Sequence, residues 1–203
     1  MREGKKRRMM IHKEFFMCVL TCVFLLLSGK GHASLADKFE PLEGISIQAF
    51  SFYDKDSNKI EGSSLIGRPS ILHFWGTLCP PCLRELPSLD ALMATAQDFD
   101  VYIICMDKKK TGAIEALYEK NGWNNLNIYK DMDLESMRVF QNRGTPSSYF
   151  VGADGTVLGR VYGEVDWQSP DSQKFLKGFV AGLVLAEERS SFLQKVSAWF
   201  TKK

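Results

Sequence analysis

The pattern of apolar and polar positions predicts strands and helices that alternate along most of the chain. Residues 70–75 (SILHFW) and 101–106 (VYIICM) are short, nearly continuous apolar runs, which are typical of buried strands. Residues 83–97 place leucines and a methionine at helical spacing, so a helix is predicted shortly after the first run. The loosely alternating stretch 44–54 predicts one further strand.

The second half of the chain continues this alternation and closes with a hairpin and a helix. A turn centred on Asp154 and Gly155 separates two predicted hairpin strands. Strands alternating with helices indicate a single α/β domain, a three-layer sandwich around a mixed central sheet. The predicted elements are a helix at 111–122 capped by Gly122, a strand at 125–131, a helix at 134–142, strands at 147–151 and 157–163, and an amphipathic helix at 172–188.

The N-terminal segment has the layout of an export signal. Basic residues dominate positions 1–13, an apolar run fills positions 15–29, and small residues precede Ser34. The run is shorter than the ~20 apolar residues that a membrane-spanning helix needs, which favours cleavage after Ala33 over retention as an anchor. Residues 1–33 are therefore predicted to be a signal peptide or an N-terminal membrane anchor.

The basic character of the chain belongs to this segment. Seven of the 26 Lys and Arg residues and two of the 24 Asp and Glu residues lie in 1–33, which leaves 19 basic and 22 acidic side chains. The remaining chain is slightly acidic, and its short basic run 108–110 is typical of a solvated loop. A nucleic acid is therefore not an expected partner.

The C-terminal segment predicts a separate amphipathic helix. In residues 189–203, apolar side chains at 192, 196, 199 and 200 share one helical face. Such a helix docks on its own domain, on a membrane surface or on a partner, and the sequence leaves these three open. The predicted division of the chain is thus 1–33, a main domain at 37–188 and this helix at 189–203.

Two closely spaced cysteines carry the candidate chemistry. Outside residues 1–33 the cysteines are Cys79, Cys82 and Cys105, and two prolines separate the first pair. A static disulfide there closes a very short loop and removes little unfolded-chain entropy. Leu83 stands where a c-type haem attachment needs histidine, and a zinc site would have only His73 and Cys105 as further Cys or His ligands. A two-thiolate Cu(I) site remains open.

A redox pair fits the local sequence better. Cys79 lies where a predicted strand gives way to a helix, and Pro80 or Pro81 suits the first helical position. A sulfur at this point meets the positive end of the helix dipole, which lowers the pKa of the thiol and supplies the thiolate that exchange requires. Cys79 is therefore predicted to attack a substrate disulfide, and Cys82, one turn later, to resolve the mixed disulfide.

The chain also resembles the TlpA/ResA group of thioredoxin-like proteins, exported bacterial thiol-disulfide oxidoreductases. The similarity runs from about Gly44 to about Ala186. It includes FWGTLCPPC at 74–82, then RELP at 84–87 with the Glu-x-Pro of the group, and NRGTPSSYFVGADGTVLGRVYG at 142–163. The resemblance implies a thioredoxin-like fold, thiol-disulfide exchange without a cofactor, and a location in the periplasm, either soluble or anchored to the inner membrane.

The resemblance also assigns residues around the cysteines. It implies that the Thr145–Pro146 bond is cis and faces the cysteines, so that Pro146 binds the extended backbone of the substrate. Glu85 is the acid of the group's motif. Leu78 stands where the group usually has tryptophan, and His73 where it often has an acidic or amide residue.

His73 has two interpretations, and two neighbouring residues have one each. An imidazole titrates near neutral pH, so His73 is a candidate proton acceptor for Cys82, or else a core histidine bonded to backbone. Trp75 is expected in the core beneath the site, and Cys105 is expected to act as a small buried apolar residue.

The two prolines also bear on the direction of electron flow. Neither Pro80 nor Pro81 can donate an N–H to the Cys79 sulfur, so the thiolate is less stabilised and the pair becomes a better reductant. We therefore expect a reductant of specific protein disulfides, of the kind used in cytochrome c maturation or copper-site assembly. Its partners would be a client protein with a cysteine pair and a membrane thiol electron donor, with membrane association through either terminus.

Alternative functions are a disulfide oxidant or isomerase of the DsbA/DsbC type, a copper- or haem-delivery module, and a membrane-tethered scaffold with a vestigial site. A peroxiredoxin-type peroxidase is disfavoured, since no Pro-x-x-x-Thr-x-x-Cys stretch occurs.

Overall fold

The computed structural model describes residues 34–182, which form one mixed eight-stranded sheet with helices on both faces. The strand order is β1-β8-β7-β4-β5-β6-β2-β3. The strands are β1 (Phe39–Pro41), β2 (Ser51–Asp54), β3 (Lys59–Glu61), β4 (Ser70–Trp75), β5 (Asp100–Cys105), β6 (Tyr129–Lys130), β7 (Ser147–Val151) and β8 (Val157–Tyr162). The α-helices are α1 (Leu35–Lys38), α2 (Pro80–Met93), α3 (Thr111–Asn121), α4 (Glu135–Val139) and α5 (Pro170–Val180).

Strand β4 lies in the middle of the sheet and leads into the cysteine pair. It pairs in parallel with β5 and antiparallel with β7, and all six of its residues are buried. Ile71 and Trp75 belong to the core cluster shared with α2, whereas Leu72 and Phe74 belong to the cluster on the opposite face. A strand buried on both faces needs a continuous apolar run, which explains the sequence of residues 70–75.

Two core clusters occupy the two faces of the sheet. One contains buried residues of α2, α3 and α5, including Leu86, Ile114 and Phe179. The other contains a group of aromatic rings that includes Phe50, Phe74 and Phe140, with ring centroids 4.8–6.0 Å apart. The predicted three-layer sandwich with a mixed sheet is thus confirmed.

Most predicted elements appear where the sequence placed them, but several differ in extent and α1, β1 and β3 were not predicted. The strand predicted at 125–131 is only Tyr129–Lys130, and the helix predicted at 134–142 is only Glu135–Val139. The stretch 44–54 was expected to be one strand, but Ile47–Ala49 is a 3-10 helix and only Ser51–Asp54 is a strand. The Ser46 side chain accepts a hydrogen bond from Gln48 N–H, and this cap starts the helical turn.

The last helix ends earlier than predicted. Helix α5 stops at Val180, and Gly182 has φ +71°, the left-handed conformation that ends many helices. Residues 183–188 of the predicted helix, the export segment 1–33 and the C-terminal segment 189–203 lie outside the described residues. Between residues 34 and 182, no helix has the length and apolar character to cross a membrane.

Candidate active site

The cysteine pair lies at the start of α2, the helix that follows β4. Cys79 is the N-cap of α2, and Pro80 and Pro81 occupy its first positions, as the sequence predicted. Cys79 and Cys82 form a disulfide with an S–S distance of 2.06 Å. Cys82 is buried and Cys79 is partly exposed, so Cys79 is the sulfur that an incoming partner reaches.

The Cys79 sulfur has one hydrogen-bond donor that the sequence analysis overlooked. Pro80 and Pro81 contribute no N–H, but the backbone N–H of Cys82 donates to Cys79 Sγ at 3.3 Å. This is the usual N-cap bond to the third helical residue, with a sulfur in place of the side-chain oxygen. Within the described residues, it is the single hydrogen bond to this sulfur.

The loop before β7 brings Pro146 to the same end of the sheet. Ser147 pairs with Phe74 near the end of β4, so Pro146 lies beside the strand end from which the cysteine loop departs. The Thr145–Pro146 peptide bond is cis, as the resemblance implied. Pro146 is buried and its carbonyl accepts from Gly163 N–H at 2.9 Å, while Thr145 remains half-buried.

Glu85 lies one helical turn after Cys82 and is buried with it. Its side chain is 1% exposed, and Trp167 Nε1–H donates to Glu85 Oε1 at 2.6 Å. The other oxygen, Oε2, makes no hydrogen bond to the described residues. Burial raises the pKa of Glu85 to about 8, partly offset by the hydrogen bond from Trp167. The carboxyl is therefore mostly protonated at neutral pH, and a minor fraction is present as the carboxylate.

His73 is fully buried on β4 beneath α2. Its Nδ1 lies 2.9 Å from Ser148 Oγ and 3.9 Å from Glu85 Oε1, and Nε2 has no partner among the described residues. Burial lowers the pKa of His73 to about 3. Histidine and glutamic acid are both uncharged near neutral pH, so their approach is not an ion pair. An imidazole with so low a pKa is a weak base, so the predicted role of His73 as proton acceptor finds no support here.

The remaining residues singled out in the sequence are Trp75, Cys105 and Leu78. Trp75 is buried, and its ring stacks on Tyr118 at a centroid distance of 5.8 Å. Cys105 pairs in register with Trp75, and burial raises the pKa of its thiol to about 12, as suits a small apolar residue. Leu78, directly before Cys79, is 85% exposed.

Trp167 was not among the residues predicted from the sequence. This residue lies in the loop between β8 and α5, in the polar stretch EVDWQSPD, yet it is fully buried. A lone tryptophan among turn residues was the signal that could have been followed, since such a large apolar side chain is seldom left in solvent. No group of three or more His, Cys, Asp or Glu side chains in residues 34–182 is arranged to hold a metal ion.

The sheet is thioredoxin-like, a disulfide lies at the start of the helix after the central strand, and a cis-proline is adjacent. Together these features define the class: a thioredoxin-fold thiol-disulfide oxidoreductase. The model of the AhpC/TSA family matches residues 44–160, more than half of the chain, and the chain belongs to that family.

Individual relatives and solved structures agree with this class. The thiol-disulfide oxidoreductase ResA of Bacillus cereus (strain ATCC 10987 / NRS 248) is 28% identical over 149 residues, which cover 70% of this chain and 85% of ResA. A secreted Mycobacterium tuberculosis disulfide oxidoreductase, described as homologous to E. coli DsbE, is 28% identical in structural alignment, with a TM-score of 0.52 and coverage of 67% and 97%. The mycobacterial DsbF structure is 25% identical, with a TM-score of 0.55 and coverage of 69% and 99%.

Proposed function

We propose that this protein is an exported reductant that opens specific disulfides in client proteins. The observation that carries the proposal is the poor hydrogen bonding of the Cys79 sulfur, whose single donor among the described residues is Cys82 N–H. A thiolate with few donors is less stabilised, and because the thiolate belongs to the reduced form, the pair gives up its electrons more readily.

The client is held at the end of the sheet where the disulfide lies. Thr145 makes no backbone hydrogen bond to the described residues, so its N–H and C=O are available to an extended client segment. Pro146 fixes the backbone beside it, and the exposed Leu78 offers an apolar contact next to Cys79. These three residues form the client-binding surface.

The exchange then runs in two steps. The Cys79 thiolate attacks one client sulfur, the client disulfide breaks, and the released client sulfur leaves with the electron pair. Cys82 next loses its proton to the carboxylate form of Glu85, a minor fraction at neutral pH, and attacks Cys79 Sγ, which frees the second client thiolate and forms the Cys79–Cys82 disulfide. A carboxyl with its pKa near the working pH suits this transfer, and Glu85 is buried one turn from Cys82.

The cellular setting completes the proposal. Residues 1–33 act as the signal or anchor, the main domain works in the periplasm, and residues 189–203 form the additional amphipathic helix. Clients would be cysteine pairs of the kind met in cytochrome c maturation or copper-site assembly. A membrane thiol donor returns the pair to its reduced form, since each turnover leaves it oxidised.

The test is the reduction potential of the Cys79–Cys82 pair, measured by equilibrating the protein with thiol buffers of defined potential. We expect a value below about −230 mV, towards the range of thioredoxin. A value near about −120 mV, where strong oxidants lie, would contradict the reductant and make the protein a disulfide donor. The Cys82→Ser variant is the control, because it cannot close the disulfide.

A further inference from the structure

Trp167 is held against Glu85 from two sides. Its backbone N–H donates to Ser88 Oγ of α2 at 3.3 Å, and its carbonyl accepts from Gln173 Nε2 of α5 at 2.8 Å. The loop is thereby fastened both to the helix that carries the cysteines and to the last helix. These bonds place a buried indole N–H at 2.6 Å from Glu85 Oε1.

This contact distinguishes the two oxygens of the Glu85 carboxyl. An indole nitrogen is a donor only, so Oε1 must act as an acceptor and cannot carry the proton on the shared side. The proton of the neutral carboxyl therefore belongs on Oε2, which has no partner among the described residues. The carboxyl is held in one orientation, with one oxygen anchored and one free.

We propose that Trp167 is a positioning residue for thiol-disulfide exchange, because it anchors Glu85 Oε1 and leaves Oε2 to take the proton of Cys82. The inference rests on the proposed function and deepens it. In this step Glu85 starts as the carboxylate, the Cys82 S–H bond breaks and an O–H bond forms at Oε2, which yields the neutral carboxyl. The sulfur keeps the electron pair with which it attacks Cys79, and the client thiolate leaves.

Other groups also act on the Glu85 carboxyl and set the direction of the expected effect. Glu164, in the loop after β8, raises the pKa of Glu85, whereas Lys38 of α1 lowers it, and His73 of β4 is neutral at this pH. The Val165 backbone N–H, which makes no hydrogen bond of normal geometry to Oε2, and the Trp167 indole N–H both favour the charged carboxylate. Loss of the indole N–H should therefore move the Glu85 titration to higher pH.

The experiment removes the indole N–H of Trp167 and keeps an aromatic ring at this position. Trp167 is exchanged for benzothienylalanine, which carries sulfur in place of the indole N–H, and separately for Phe. The reduced full-length protein is mixed with a symmetrical aromatic disulfide that releases a coloured thiol. The first thiol released reports the attack of Cys79, and the second reports resolution by Cys82. Both rates are recorded against pH.

We expect the first phase to be unchanged and the second to shift. The apparent pKa of the second phase should rise by roughly one unit, the size expected for one lost hydrogen bond to a charged group. At pH 7 the second phase should then slow by up to about tenfold. Trp123→Phe is the control, since Trp123 packs on Tyr118 away from Glu85 and should leave both phases unchanged.

Two further measurements distinguish failure of this inference from failure of the function on which it rests. If Glu85→Gln abolishes the pH dependence of the second phase but the benzothienylalanine variant leaves the apparent pKa where it was, the positioning role of Trp167 is wrong and Glu85 remains the acceptor. If Glu85→Gln leaves the second phase unchanged, the proton step is wrong and the inference fails with it. Carbon-13 titration of the Glu85 carboxyl must also move upward in the benzothienylalanine variant, and an unmoved titration overturns the proposal.

Discussion

At the scale of single residues, the site depends on an acid that is buried without a charged partner. Glu85 is mostly protonated at neutral pH because burial disfavours the carboxylate, and it has a single strong donor in Trp167. His73, a few ångströms away, is likewise held neutral by burial. The pair can coexist because neither group carries charge.

This burial predicts how stability depends on pH. The unfolded chain titrates Glu85 near its ordinary value of 4.5 and the folded protein near 8, so between these values the folded state holds one more proton. The contribution of Glu85 to stability is then fully present at acidic pH and is lost as the pH rises through this window, by about 1.4 kcal/mol per pH unit. Buried His73 acts in the opposite direction below about pH 6.5, so the comparison with a Glu85 variant isolates this contribution. Glu85→Gln should remove that loss, as measured by denaturant unfolding at pH 5 to 9. Parallel curves for the two proteins across this range would contradict the raised pKa.

At the scale of elements, the start of α2 does most to define the chemistry. Cys79 caps the helix, and the two prolines give it a start without free N–H groups. A residue with an N–H between the cysteines would add a donor to the thiolate, and a histidine would add a positive charge when protonated.

Pro81→His should therefore raise the reduction potential. We expect an increase of about 30 mV or more, which corresponds to a tenfold change in the equilibrium constant. The measurement is equilibration with thiol buffers, and Pro170→Ala, which changes a proline in the first turn of α5, is the matched control. An unchanged or lower potential would show that donors at this position do not set the redox balance.

At the scale of the whole molecule, the sheet order gathers the site from distant parts of the chain. The loops after β4 and before β7 meet at one end of the sheet because these strands are antiparallel neighbours. Strand β1 forms one edge of the sheet by pairing with β8, and the ring of Phe39 lies against Gly159 of β8. A Cβ at Gly159 would collide with the Phe39 ring and with the Glu40 carbonyl oxygen.

Gly159→Ala should consequently destabilise the protein. We expect a loss of about 1–3 kcal/mol in the free energy of unfolding, the usual cost of overpacking. Gly112→Ala serves as the comparison: the nearest atom to its added Cβ is 3.9 Å away, and the position is helical, so this change should be neutral or slightly stabilising. Equal unfolding midpoints for the two variants would contradict the close packing of β1 on β8.

The elements that could be predicted from the sequence are those set by local residue patterns. The buried strands, the hairpin and the left-handed Gly122 follow from runs and turn residues that need no tertiary information. The 3-10 turn at Ile47–Ala49 was missed, because Ile47 N–H bonds to Gly155 of a distant turn. The two interpretations of His73 could not be separated from the sequence, because its burial, which lowers its pKa, depends on the packing of α2 over the sheet.

By itself, the sequence determined the cysteine pair, the helix that begins at it and the sandwich around it. Cysteine spacing, proline positions and apolar periodicity act over a few residues, and each is visible along the chain. Only the tertiary structure decided how Glu85 is buried and which group it contacts. Glu85 and Trp167 are 82 positions apart, and they meet because the loop after β8 is fastened to α2. The pKa of a buried acid follows from its surroundings in space, which local patterns do not contain.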